Sequence, residues 1–330
     1  MKIIKPKIKI IAIIGPTSSG KSGLAIQLAL WLRSKRILKQ FGLKGAEIIS
    51  ADSRQVYKGM DIGTGKVTKK EQKIIKHHLL DVVSPKKVFT VSDFKKLSKK
   101  SINSIVEKHN LPIIAGGTGF YIDVLLERIS IAEAPPNKKI RARFDKFSVE
   151  YLFKMLKKLD PQRAKTIDSK NKRRLVRALE IILTTNKPVP RLTKIKPPIH
   201  GEYDVLWIGL KPKNLEKIIK DRLDKRLNQG MIKEVKKLLN QGVNEKRLYD
   251  FGLEYRQILM YLTDKKNESK DSNNFKNSGF YQKLLREIIK YSKRQMTWFK
   301  RNKKIHWISP STDGQKEAEK FTRNFLASRP

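Results

Sequence analysis

The sequence predicts an α/β fold, a parallel sheet flanked by helices and interrupted once by an inserted helical segment. The run Ile8–Ile14 is short, β-branched and almost uncharged, as expected of a central strand covered on both faces, and a glycine-bearing loop and an apolar helical stretch follow it at once. Two more short apolar runs, 46–50 and 111–115, alternate with helical patterns, the arrangement of βαβ units. Pro135 and Pro136 then open a basic helical region that Pro188, Pro190, Pro197 and Pro198 close off, after which the apolar run 203–210 returns to the sheet. The expected organisation is therefore a core over 1–134, an insertion over 135–198, and completion of the core over 199–330.

The loop after the first strand reads Gly15, Pro16, Thr17, Ser18, Ser19, Gly20, Lys21, Ser22, with the spacing G-x-x-x-x-G-K-S. Glycines at these positions let backbone N–H groups converge on a phosphate chain, and the next helix aims its positive end at it. Lys21 reaches the terminal phosphates and Ser22 places its hydroxyl on Mg²⁺. The fold is thus of the P-loop NTPase-like kind. Gly23 is expected to let the first helical turn pack close to the strand. The second strand, 46–52, ends in Asp52, which faces the same crevice because ligand groups of open parallel sheets sit at the carboxyl ends of strands. Residues 53–66, rich in glycine and polar groups, form a binding loop.

Further along, 77–83 ends in a short strand-like piece. A helix begins near Thr90, capped by Ser92 or Asp93, and runs to about Lys108. The strand 111–115 ends in Gly116, Gly117, Thr118, Gly119, a second glycine turn against the crevice. In the insertion, 170–182 is amphipathic and cationic. A helical pattern continues from Asn214 past Glu234, the polar stretch 264–278 reads as a mobile loop, 281–301 is a cationic helix, and 304–308 a last edge strand.

Composition narrows the partners. The formal net charge is +43, from 74 Lys plus Arg against 31 Asp plus Glu. Such an excess attracts a polyanion far larger than a nucleotide, which points to nucleic acid. The absence of cysteine excludes disulfides and thiol catalysis and suits a reducing, cytoplasmic setting. No apolar stretch is long enough to span a membrane, and no signal peptide is read at the N-terminus.

An ordinary P-loop kinase carries a strand ending in an aspartate beside its Mg²⁺. Here the strand before the glycine turn ends in Gly116, Gly117 and Thr118 instead. That replacement, with Asp52-Ser53-Arg54-Gln55-Val56-Tyr57-Lys58-Gly59-Met60-Asp61-Ile62-Gly63-Thr64, then His77-His78-Leu79-Leu80-Asp81, then Gly116-Gly117-Thr118-Gly119-Phe120-Tyr121 and Lys293-Arg294-Gln295-Met296-Thr297-Trp298-Phe299, resembles the tRNA dimethylallyltransferases, or tRNA isopentenyltransferases, of bacterial type.

The resemblance implies transfer of a dimethylallyl group from dimethylallyl diphosphate to the exocyclic N6 amine of the adenosine beside the anticodon in tRNA. It implies that Gly15 to Ser22 hold the diphosphate, with Mg²⁺ as cofactor and Ser22 its protein ligand. Asp52 is then the general base, and Thr17, Lys21 and Arg222 act on the diphosphate or the amine. The implied tRNA-binding residues are Asp52, Ser53, Arg54, Gln55 and Thr118 together with Arg141, Arg173, Arg174, Leu175, Val176 and Arg177 of the insertion. His77 and His78 are assigned a structural role, since neighbours at i and i+1 do not give metal-ligand geometry on a helix. Glu254 stands where many relatives carry glycine, and a carboxylate near phosphate needs a partner such as Arg256. The cysteine-based zinc motif of eukaryotic relatives is missing. A monomer is expected. The rivals are an isopentenyltransferase acting on free adenine nucleotides, which has no need of the basic insertion, a small-molecule kinase, and a non-catalytic RNA-binding protein.

Overall fold

The computed structural model describes residues 7–132, 134–190, 201–264 and 271–328. Among these, the strands β1 (Ile8–Ile14), β2 (Gly45–Ser50), β3 (His77–His78), β4 (Asn110–Gly116), β5 (Tyr203–Leu210) and β6 (His306–Ile308) form one sheet in the order β3-β2-β4-β1-β5-β6. Every pairing is parallel. β1 lies inside because Ile10 through Ile14 have no surface that tolerates water, and all five are fully buried between β4 and β5. Parallel pairing brings the strand ends to one edge, with Ile14 beside Gly116 and Ser50 beside Ala115. The loops after β1, β2 and β4 therefore leave side by side.

The helix Lys21–Leu32 covers one face, burying Leu24, Ala25, Leu28 and Leu32 against Ile11, Ile13, Ile48 and Ile113. Close approach at Gly23 is not found: a Cβ there would meet nothing within 4 Å. The small residues that seat this helix are Ala25 and Ala29, both 0% exposed. The helix Val91–Glu107 is capped by Thr90, not by Ser92 or Asp93. Thr90 is extended and accepts from the backbone N–H of Asp93, whose carboxylate accepts in return from the Thr90 N–H. In the segment 77–83 the strand comes first and stops after two residues, because Leu79 and Asp81 turn into the left-handed region at φ 64° and 57°.

The pattern from Asn214 resolves into two helices, Leu215–Asn228 and Met231–Asn240, broken at Gly230. Together with Glu245–Phe251, Leu253–Thr263 and Gly279–Phe299 they enclose a second apolar core that takes in Val56, Tyr57 and Met60 from the loop after β2. The expected mobile loop over 264–278 is corrected in part. Residues 265–270 lie outside the described residues, but Ser272–Lys276 is a helix capped by Asp271, and Phe275 is fully buried with its ring 5.1 Å from that of Tyr261. One aromatic residue anchors a segment whose polar composition hides it.

Residues 126–199 form a compact unit of their own, distinct from the remainder of the chain. Its described helices, Lys138–Asp145, Val149–Leu159, Pro161–Ala164 and Lys172–Thr185, pack around Phe144, Leu152, Leu156, Leu175 and Leu179. The closing prolines Pro197 and Pro198 lie outside the described residues. No helix among the described residues is long and apolar enough to cross a membrane.

Candidate active site

The loops after β1, β2 and β4 meet the helices Leu215–Asn228 and Gly279–Phe299 around a cavity of about 350 Å³. Thr17, Ser18, Ser19, Gly20, Lys21 and Ser22 line it together with Asp52, Gln55, Gly117, Arg222, Tyr291 and Gln295. The resemblance assigned Thr17, Lys21, Asp52 and Arg222 to the chemistry, and the fold brings all four to this one cavity.

Gly20 starts the helix Lys21–Leu32 without a side-chain cap, so no side chain competes for the N–H groups of its first turn. Lys21 Nζ donates to the Pro16 carbonyl and lies 3.4 Å from Ser19 Oγ. Burial lowers the Lys21 pKa to about 7. The positive charge of Arg222 pushes the same way, and the Asp52 carboxylate opposes both. Arg222 donates to the Gly65 carbonyl at 3.1 Å. Its own affinity for a proton is reduced by burial first and by Arg226 second, though a guanidinium keeps its charge at any physiological pH.

Asp52 does two things at once. Oδ1 accepts from the backbone N–H groups of Arg54 at 2.7 Å and Gln55 at 3.2 Å, which shapes the turn, while the carboxylate still faces the cavity. The second glycine turn locks this presentation. A Cβ on Gly116 would lie 2.2 Å from the Ala51 carbonyl oxygen, so only glycine lets β4 end so close to the residue before Asp52. Thr118 then donates its N–H to that carbonyl, and its Oγ1 accepts from the Ser53 N–H at 3.2 Å. Burial and the neighbouring Asp52 charge push the Tyr291 hydroxyl up to about 12, which keeps it a neutral donor.

Gln295 closes the ring. Its Oε1 accepts from the Thr17 N–H at 2.7 Å and its Nε2 donates to the Gly117 carbonyl at 2.8 Å, tying the phosphate loop to the glycine turn. Three residues on, Trp298 donates to Asp123 at 2.8 Å. No group of three or more His, Cys, Asp or Glu placed to hold a metal ion occurs among the described residues. The cavity offers the Ser22 hydroxyl, an oxygen donor of the kind that fits a Mg²⁺ ion completing its shell with water and phosphate oxygens.

Residues 55–302 match the family model for IPP transferase. The chain belongs to the IPP transferase family. A tRNA dimethylallyltransferase of Acetivibrio thermocellus is 35% identical over 327 residues, covering 97% of each chain. One of Thermomicrobium roseum is 35% identical over 311 residues, covering 92% of this chain and 87% of that protein. The full-length tRNA isopentenylpyrophosphate transferase of Bacillus halodurans shares 30% identity with a TM-score of 0.65, covering 97% of each chain. A eukaryotic dimethylallyltransferase structure described as acting on tRNA shares the fold at 23% identity, with a TM-score of 0.75 and 98% of this chain covered.

Several residues expected to meet tRNA have partners within the fold. Leu175 and Val176 are buried, at 0% and 6% exposure, within the core of the 126–199 unit. They face inward because the helix Lys172–Thr185 turns its apolar stripe to that core. Arg141 forks onto Glu180 at 2.8 and 2.9 Å, and Arg177 joins Glu180 at 2.6 Å and the Ala134 carbonyl at 2.8 Å. Glu180 is fully buried and would be an uncompensated charge without them, so these two arginines hold the unit together. Arg173 and Arg174 are exposed on the same helix.

Near the cavity, Arg54 donates to the Phe251 carbonyl at 3.0 Å, and Gln55 is buried with Nε2 3.5 Å from the Gly65 carbonyl. Glu254 pairs with Arg226 at 2.8 Å, whereas Arg256 donates to the Tyr249 carbonyl and stacks over its ring. His77 hydrogen-bonds the Ile75 carbonyl at 2.8 Å and lines the cavity, and His78 meets Glu47 at 2.6 Å. The residues missed from sequence are Gln295, Tyr291 and Glu234. Gln295 lies within the motif 293–299, and that membership is its one trace in the sequence.

Proposed function

We propose that this chain prenylates tRNA, moving a dimethylallyl group from dimethylallyl diphosphate to the N6 amine of an adenosine. The observation that carries the reading is the convergence of Lys21, Arg222 and the first-turn N–H groups of Lys21–Leu32 on one cavity that also holds the Asp52 carboxylate.

In the reaction the amine nitrogen bonds to C1 of the dimethylallyl group as the C1–O bond breaks, and the electron pair leaves with diphosphate. Charge develops on the bridging oxygen, and backbone N–H groups, Lys21 and Arg222 are preorganised to stabilise it. Lys21 would exchange its bond to the Pro16 carbonyl for a phosphate oxygen, which restores its proton. Arg222 offers a guanidinium branch with its other contact already fixed on Gly65. Ser22 would hold Mg²⁺, which supplies further charge neutralisation on the diphosphate. The amine becomes acidic as it alkylates, so Asp52 can take its proton even though a carboxylate is a weak base. The adenine must leave the anticodon-loop stack to present that amine. The formal charge of +43 suits the tRNA partner, and Arg173 and Arg174 are exposed on the helix Lys172–Thr185.

The test offers dimethylallyl diphosphate with tRNA or with AMP and reads nucleosides by mass spectrometry. Prenylated adenosine in tRNA alone is expected. Asp52→Asn keeps an oxygen for the turn and removes the base, and a rate loss of about 10²-fold to 10⁴-fold is expected with pyrophosphate binding retained. Product from AMP alone, or a fully active Asp52→Asn variant, would refute the assignment.

A further inference from the structure

One wall of the cavity is the segment 60–66, which has no regular secondary structure yet contributes Thr64 to the lining and its Gly65 carbonyl to Arg222. Lys66 ties its end to Asp61, Asp81 and the Tyr57 carbonyl, and one buried carboxylate holds its middle. Glu234, on the helix Met231–Asn240 and 8% exposed, accepts through Oε2 from the N–H groups of Asp61 at 2.8 Å and Ile62 at 2.7 Å. Through Oε1 it accepts from the Gly63 N–H at 2.9 Å and the Tyr255 hydroxyl at 2.8 Å. Successive peptide N–H groups thus turn toward one anion. The carbonyls of these peptides close the turn, Met60 accepting from the Thr64 hydroxyl and Ile62 from the Gly65 N–H at 3.0 Å, and the carbonyls that follow meet cations: Gly63 accepts from Arg226 Nη1 at 2.8 Å, and Gly65 from Arg222 Nη2 at 3.1 Å. The approach at Gly65 is tight, since a Cβ there would lie 2.3 Å from Arg222 Nη2. The burial of Tyr255, with the Glu234 charge beside it, holds the phenol protonated, so it remains a donor to the carboxylate.

We propose that Glu234 is the positioning residue for Arg222, setting through the peptides of 61–65 the direction from which the guanidinium reaches a diphosphate. The proposal rests on reading the cavity as the diphosphate site. Glu234 does not line the cavity itself. Its charge holds the peptides of 61–63, the Ile62 carbonyl holds the Gly65 N–H, and the Gly65 carbonyl fixes one branch of Arg222, leaving the others to the ligand. A neutral amide at this position keeps the volume but points an NH₂ group at backbone donors, so the segment must turn and carry Gly65 with it.

A double-mutant cycle on inorganic pyrophosphate binding, measured by calorimetry on the full chain, tests this. Glu234→Gln is expected to weaken pyrophosphate binding about tenfold, and Arg222→Ala by at least as much. In the Arg222→Ala background Glu234→Gln is expected to cost less than about twofold, because the group through which it acts is gone. Should Glu234→Gln fail to fold, Glu234→Asp keeps the charge, withdraws it by one methylene, and is expected to show a smaller loss with the same dependence on Arg222. Equal losses in both backgrounds, or no loss in either, would overturn the positioning role while leaving the diphosphate site standing. A wild-type chain that does not bind pyrophosphate would overturn the site and this role together.

Discussion

Lys21 gives a sharp test of how the phosphate loop is poised. Its pKa is near 7 because burial and the Arg222 charge both disfavour the ammonium, and the Asp52 charge only partly compensates. A diphosphate in the cavity adds negative charge against Nζ and returns the pKa toward its ordinary value near 10.5. Binding therefore draws a proton onto Lys21 in the window between these two values. At pH 8 about nine-tenths of the free chain carries a neutral Lys21, so pyrophosphate binding takes up roughly 0.9 proton at this group, whereas at pH 6 the uptake is about 0.1. Affinity accordingly falls above pH 7 by up to about tenfold per pH unit, or 1.4 kcal/mol.

The assay is calorimetric titration of pyrophosphate in two buffers of different ionisation enthalpy, at pH 6, 7 and 8, against the Lys21→Arg variant. Arginine is charged throughout this range, so the variant subtracts the titration of pyrophosphate itself. Wild type should exceed the variant in proton uptake by a margin that grows with pH. Equal uptake by the two proteins at all three values would show that Lys21 is already charged before the ligand arrives, and would refute the reasoning.

Other perturbations reach other parts of the molecule. Gln295→Met fills the same space but leaves the Thr17 N–H and the Gly117 carbonyl without their partner, at a cost of about 2–4 kcal/mol in denaturant unfolding and with weakened pyrophosphate binding. Unchanged binding in that variant would mean the tie to Gly117 is not what shapes the phosphate loop. Phe275→Ala should lose about 3–5 kcal/mol of stability, since its ring is fully buried beside Tyr261, whereas a residue of a mobile loop would lose almost nothing. Glu180→Ala should destabilise the chain by about 1–3 kcal/mol, below the value for a fully buried network because Arg141 and Arg177 are partly solvated. Arg173→Ala with Arg174→Ala should weaken tRNA binding more at low salt than at high, and a flat salt dependence would remove them from the interface.

The sequence by itself determined what depends on neighbouring residues. A buried strand, the glycine spacing of a phosphate loop, the helix that follows it and a carboxylate at the end of the next strand are all encoded over a few residues, because backbone dihedrals and side-chain periodicity are local. The motifs that point to the IPP transferase family were legible for the same reason. Tertiary structure alone decided which charges and rings also serve the fold. Arg141 and Arg177 read along the chain as phosphate binders, and only the fold shows that both also pair with the buried Glu180. Phe275 reads as part of a solvated stretch until it enters a core. Glu234 meets the backbone of Asp61, and Gln295 that of Thr17, only after folding, since a hydrogen bond between residues so far apart leaves no periodicity or spacing in either segment. The cost of burying an unpaired polar group is set by where the chain finally places it, and that is a property of the packed molecule.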